Sequence, residues 1–350
     1  MNLSHRLLQR QVRKHLGGEA APELVPFLQA VNDAYTSMDE DKALVERTLD
    51  LSSHELVQAS QAIQQKQAEL TAAMEQVMDS LRYASRLQKA QLPQAERLEK
   101  RFSDFSVVWL PRDTIGGDLW WISPGDKDGR FSIALVDCTG HGVPGAMLSL
   151  LASTSLEQIY SHAKEPTPDV ALEKLDQAMR HGLNQDKHGA EGNDGCDAAI
   201  LQMDPLEGKA WFSGCRIDLF CVHPSDGVIR VGSNRFSLGY SDPMPHFPVM
   251  HELDMDPQQM LVMSTDGFVD QVGLRPEGGL RSFGFTRLMS CLSQFSAQGC
   301  IATTNAMMDS LQAWQGAQER RDDLSILAFK LAPVEDLKHG LEPTRQDDHG

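Results

Sequence analysis

The chain has 350 residues, 41% of them hydrophobic, enough for one large core or two modest ones and too apolar for a disordered chain. Forty-nine acidic against 32 basic side chains give a formal charge of -17, which argues against nucleic acid or an anionic bilayer as a partner. Apolar runs such as 146–152 fall far short of the roughly 20 residues that span a bilayer, and the opening "MNLSHRLLQRQVRKHLGG" lacks a signal-peptide core, so a cytoplasmic protein is expected.

The first 90 or so residues are rich in Leu, Gln, Ala, Glu and Arg, with Pro22 and Pro26 close together, and residues 1–55 read as a helical regulatory region. After "DLSSHEL", where a serine can cap a helix, Leu56, Ile63, Leu70, Val77 and Ala84 recur every seventh place. The companion seam, Ser60, Gln67, Met74, Leu81 and Gln88, is half polar. Residues 56–93 therefore read as a coiled-coil linker of weak, switchable packing, either in a parallel homodimer or against the chain's own body.

From Phe102 the pattern changes to short apolar runs between Gly, Pro and Asp: "FSVVWL", "FSIALVDC", "DAAILQMD", "KAWFSG", "LFCVHP", "GVIRVG", "QMLVMSTDG" and "LSILAFKLA" are predicted strands. Helices are predicted in "VPGAMLSLLASTSLEQIYSHA", "PDVALEKLDQAMRHGL" and one long stretch from Phe283 to Trp314. Strands that follow one another directly suit an α+β fold of antiparallel sheets flanked by helices, preceded by an all-α region. Residues 334–350 read as a polar tail. Six cysteines without a C-x-x-C pair suggest neither a zinc cage nor a disulfide framework.

Four acidic sites stand at strand ends beside glycines or tight turns: Asp118 in "RDTIGGDLWW", Asp137 in "VDCTGHGVPG", Asp266 in "STDGFVD", and Asp322 with Asp323 in "RRDDLSIL". Each alone has an ordinary reading as turn or charge run, and His141 reads best as a hydrogen-bonded helix-entry residue. Together, acids gathered at buried strand ends call for a positive charge among them. Oxygen ligands without His or Cys partners favour Mg²⁺ or Mn²⁺, and two such ions can turn a water on phosphorus.

The ordered set "PRDTIGGDLWW", "VDCTGHGVPGAML", "STDGFVD" and "RRDDLSILAFK", preceded by "SLRYASRLQKAQLP", closely resembles the SpoIIE-like branch of the metal-dependent type 2C protein serine/threonine phosphatases. The resemblance covers about residues 80 to 333 and implies a phosphatase domain over 94–333. It implies a sandwich of two antiparallel sheets with helices outside, two Mn²⁺ or Mg²⁺ ions, and hydrolysis of phosphoserine or phosphothreonine on a protein. Carried over by motif, Asp118, Asp137, Asp266 and Asp322 would hold the metals, Asp137 as the bridging ligand, with the main-chain oxygen of Cys138. Gly116 and Gly117 would turn Asp118 into the cleft, with Trp120 and Trp121 as packing and wall. Gly117, Thr139, Gly140, His141 and Asp323 would support the site. Arg112 would either reach substrate phosphate or form a structural ion pair. Cys138 is not expected to be a nucleophile, because no Cys-x5-Arg cradle follows it and nearby acids should raise its pKa. The branch further implies a STAS-domain anti-anti-sigma protein as substrate and a helical linker that carries a signal. A catalytically silent partner-switching adaptor and a metal phosphodiesterase are the rival readings.

Overall fold

A computed structural model describes residues 4–99, 101–127, 129–161, 165–187, 192–275, 278–295 and 297–331. The expected tail at 334–350 lies outside the described residues. The chain divides into two compact units, Met1–Asp79 and Ser80–Gly350.

In the first unit, α1 (Arg6–Leu16) and the start of α2 (Val25–Gln91) are joined by a short 3₁₀ turn, Pro22–Leu24. Pro26 falls in the first turn of α2, where its missing N–H has no helical partner to lose. Leu8, Val12 and Leu28 form a small core flanked by Ala20, Val31 and Tyr35. Buried Asn32 accepts from the backbone N–H of Ser4 (3.0 Å) and His5 (2.9 Å), satisfying donors at the entry to α1 that no local side chain caps. The expected helix start at "DLSSHEL" is not seen. Ser52 and Ser53 lie inside α2, because serine is only mildly unfavourable within a helix and no Gly or Pro interrupts the run. Leu56, Ile63, Leu70 and Val77 are all exposed.

The second unit contains two five-stranded antiparallel sheets. One has the order β1 (Phe102–Leu110), β12 (Leu324–Leu331), β9 (Met260–Ser264), β6 (Leu219–His223), β7 (Gly227–Val231). The other runs β2 (Leu119–Ile122), β3 (Phe131–Cys138), β4 (Cys196–Asp204), β5 (Lys209–Cys215), β8 (His251–Asp254). Every expected strand forms, though "TDG" leaves β9 to begin the short helix α6 (Asp266–Val269). β8 and the small hairpin β10 (Val272–Leu274) with β11 (Leu280–Ser282) were not expected: "HELD" is mostly polar, and three residues show no period.

Two-residue alternation sorts each strand between layers. On β3, Phe131, Ile133 and Leu135 enter the core between the sheets, while Ala134, Val136 and Cys138 face α4 (Gly142–Ile159) and α5 (Pro168–Gly182). On β12, Leu327 and Phe329 join the inter-sheet core, while Ile326 and Ala328 pack with α7 (Gly284–Phe295) and α8 (Cys300–Gln315). The predicted single helix over 283–314 is thus two. The chain reverses at Gly299, whose φ of +82° suits glycine alone. Between α2 and β1 lies the short helix α3 (Ala95–Glu99). No helix among the described residues is long and apolar enough to cross a membrane.

Candidate active site

The acids gather at one end of the second unit because four strands end or begin there. Asp118 precedes β2, Asp137 is next to last in β3, and Asp266 and Asp322 sit where β9 ends and β12 approaches. A cleft of about 660 Å³ has Asp137, Cys138, Thr139, Gly140, Asp266 and Asp322 in its wall.

Asp118 lies beneath this wall, 2% exposed. Its Oδ2 accepts from Thr265 Oγ1 (2.9 Å) and Ser325 Oγ (2.7 Å), while its buried Oδ1 has no partner. Burial, opposed by the Ser325 hydrogen bond and aided by the charge of Asp323, pushes the Asp118 carboxyl up to about 7. Asp137 is held well above the ordinary carboxylate range by burial, then by the charges of Asp118, Asp266 and Asp322. Burial, then Asp270 and Asp322, raises Asp266 to about 6.

Among the described residues no three His, Cys, Asp or Glu side chains already form a tight ligating cluster. The donor chemistry nevertheless fits a hard cation: mutually repelling carboxylates, an unpaired buried Oδ1, and oxygen donors only. The Cys138 thiol faces the helix side of its sheet and is pushed well above its usual value, first by a hydrogen bond with Cys196 and then by burial. It is no thiolate nucleophile.

The bare approach to Asp118 has a steric reason. A Cβ on Gly117 would stand 2.8 Å from the carbonyl oxygens of both Cys138 and Gly140, and one on Gly116 would strike the Asp323 carboxylate at 2.5 Å. Asp323, 3% exposed, accepts from the backbone N–H of Arg112 and of Gly117, each at 2.6 Å. It fixes the loop instead of lining the cleft. The tryptophans that follow alternate across β2: Trp120 enters the inter-sheet core, and Trp121 packs under α4 and bonds Glu157 (2.9 Å). Neither forms a wall of the cleft, because both neighbouring layers bury them.

Thr139 ties the turn to Gly195, donating from its N (3.0 Å) and accepting Gly195 N at Oγ1 (3.0 Å). His141 stands at the entry of α4, its Nδ1 2.6 Å from Asp113. Arg112 donates to the carbonyl of Arg321 (3.0 Å) instead of pairing with a carboxylate, and it is not among the described residues of the cleft wall.

Sequence reasoning missed Asp197, Arg216, Thr265 and Ser325. Asp197 pairs directly across from Asp137 in the β3–β4 ladder and so shares its face. Only strand register brings the two together. Thr265, beside Asp266 in "STDG", was within reach of a reading that asked what the acids accept from.

The family model described as Stage II sporulation protein E (SpoIIE) matches residues 127–332. The SiaA-PP2C domain of Pseudomonas aeruginosa is similar at a TM-score of 0.65 and 29% identity, covering 75% of this chain and 99% of that one. The RsbU and RsbW domains of a Mycobacterium tuberculosis protein give 0.50 and 16%, over 67% and 61% of the two chains. The PP2C phosphatase domain with a regulatory-domain fragment of SpoIIE from Bacillus subtilis gives 0.50 and 13%, over 66% and 64%. At those identities the last two show the fold alone. No curated protein matches the chain.

Proposed function

The chain belongs to the SpoIIE family and has the PP2C serine/threonine phosphatase fold, and from that membership we propose that Asp118, Asp137, Asp266 and Asp322 form its working site. The observation that carries this reading is the convergence of these carboxyls at one end of the second unit, Asp137, Asp266 and Asp322 in one cleft wall and Asp118 buried beneath it.

In the proposed site the four carboxylates and the main-chain oxygen of Cys138 would hold a pair of Mg²⁺ or Mn²⁺ ions. When bound, such ions supply Lewis acidity and make a water acidic enough to serve as nucleophile at neutral pH. The remaining work falls to the chain. Thr265 and Ser325 orient Asp118 by occupying Oδ2 and leaving Oδ1 free. Asp323 fixes the Gly116–Gly117 turn that delivers Asp118, and Thr139 anchors the turn after Asp137. The cleft admits a phosphorylated side chain of a protein, and no phosphoenzyme is required.

The substrate proposed is a phosphoserine or phosphothreonine on a STAS-type anti-anti-sigma protein, a reading that rests on the resemblance of the motifs. The exposed heptad on α2 supports a homodimer through the N-terminal helices, whose half-polar seam leaves two packings close in energy. The test is hydrolysis by the full chain with Mn²⁺ of a phosphoserine STAS protein beside a cyclic dinucleotide. Release of phosphate from the protein alone supports the phosphatase reading. Cleavage of the dinucleotide favours a phosphodiesterase, and release from neither favours a silent adaptor.

A further inference from the structure

The cleft wall is acidic, with Asp137, Asp197, Asp242, Asp266 and Asp322 in it, and Arg216 is the one basic side chain among its described residues. A phosphomonoester brings about two further negative charges. Repulsion from acids that are not ion ligands must therefore be offset on the substrate's side of the cleft.

Arg216 is also conformationally marked. It follows β5 with φ +62°, and the only other non-glycine residue with positive φ among the described residues is Asn184, whose side chain tolerates that region. The conformation is imposed from both sides. Arg216 N donates to Asn234 O (2.8 Å), and Asn234 donates from N (2.8 Å) and Nδ2 (2.7 Å) to Gly214 O. Asn234 Oδ1 in turn accepts from Val249 N (3.2 Å). A long cationic side chain is thus held exposed on an over-determined turn, an arrangement that recurs at ligand-binding positions. It stands in the same cleft wall as Asp197 and Asp266.

We propose that Arg216 binds the phosphoryl oxygens of the substrate, using the two-pronged guanidinium geometry that matches phosphate. The sequence offered this role, beside a structural ion pair, to Arg112, which is not among the described residues of the cleft wall. The inference rests on the reading of the cleft as a phosphomonoesterase site.

The test uses the full chain loaded with Mn²⁺ and inorganic phosphate as the probe. Arg216→Asn removes the charge but suits positive φ, and Arg216→Lys keeps the charge without the fork. Calorimetric phosphate affinity and the KM for p-nitrophenyl phosphate should weaken roughly 10- to 100-fold in Arg216→Asn and less in Arg216→Lys. Mn²⁺ affinity and melting temperature should hold in both. Unchanged phosphate affinity in Arg216→Asn overturns the proposal, as does a parallel fall in Mn²⁺ affinity, which would make Arg216 a support of the acids. If the wild type hydrolyses nothing yet binds phosphate through Arg216, the hydrolase reading fails and this one stands.

Discussion

Gln88 and Gly116 are joined by two hydrogen bonds: Gln88 Nε2 donates to the Gly116 carbonyl (2.6 Å), and Gly116 N donates to Gln88 Oε1 (3.3 Å). The same amide reaches Ser149 Oγ on α4 (3.0 Å). The last turns of α2 are thereby fastened to the backbone two residues before Asp118. Gln88→Leu keeps similar bulk and removes all three bonds, each worth about 1 kcal/mol net. Turnover should fall roughly 3- to 10-fold, and amide exchange over 113–118 should quicken while the far-ultraviolet spectrum is unchanged. Exchange rates like those of the wild type would show that the contact does not hold the loop.

The metal-free protein should lose stability as pH rises. Asp118 and Asp266 are raised to about 7 and about 6 from an ordinary 3.8, so the folded chain binds protons more tightly than the unfolded one. Their penalty is absent below about pH 4 and grows as pH climbs through the raised values. Melting temperature in a chelating buffer should therefore decline between about pH 4 and 7. Added Mn²⁺ should flatten that decline by replacing protons with cations. A chelated profile that is level or rises across this window would contradict the acid cluster.

The exposed positions of α2 make a third test. Ile63 and Leu70 are 67% and 70% exposed, so polar replacements should barely alter a monomer. If these side chains form the seam of a homodimer, Ile63→Asp with Leu70→Asp places charges in it, and light scattering should report a drop from twice the chain mass to once. A mass that does not change between wild type and variant removes the seam.

The fold was legible wherever local chemistry decides it. Short apolar runs between turn residues marked β3 and β12, and glycines beside acids marked the turns that carry Asp118 and Asp137. What sequence could not reveal depends on partners distant along the chain. Asp197 joins the site through strand register, and Arg216 through a turn set by Asn234. The heptad pattern also ran past its physical end. Gln88 and Ala84 continue the spacing, yet both are half-buried in the second unit, where Gln88 is committed to Gly116. Asp323 was read as a supporting neighbour of Asp322, without the means of its support being visible in the sequence. Its burial and its two backbone bonds make it the brace of the Gly116–Gly117 turn.

The most direct measurement is Mn²⁺ binding by calorimetry together with Mn²⁺-dependent hydrolysis of p-nitrophenyl phosphate, for the wild type and Asp137→Asn. The wild type should bind Mn²⁺ and turn over, and the variant should lose both by roughly 100-fold or more with its fold intact. An Asp137→Asn protein that binds Mn²⁺ and hydrolyses the ester at the wild-type rate would contradict the assignment of this cleft.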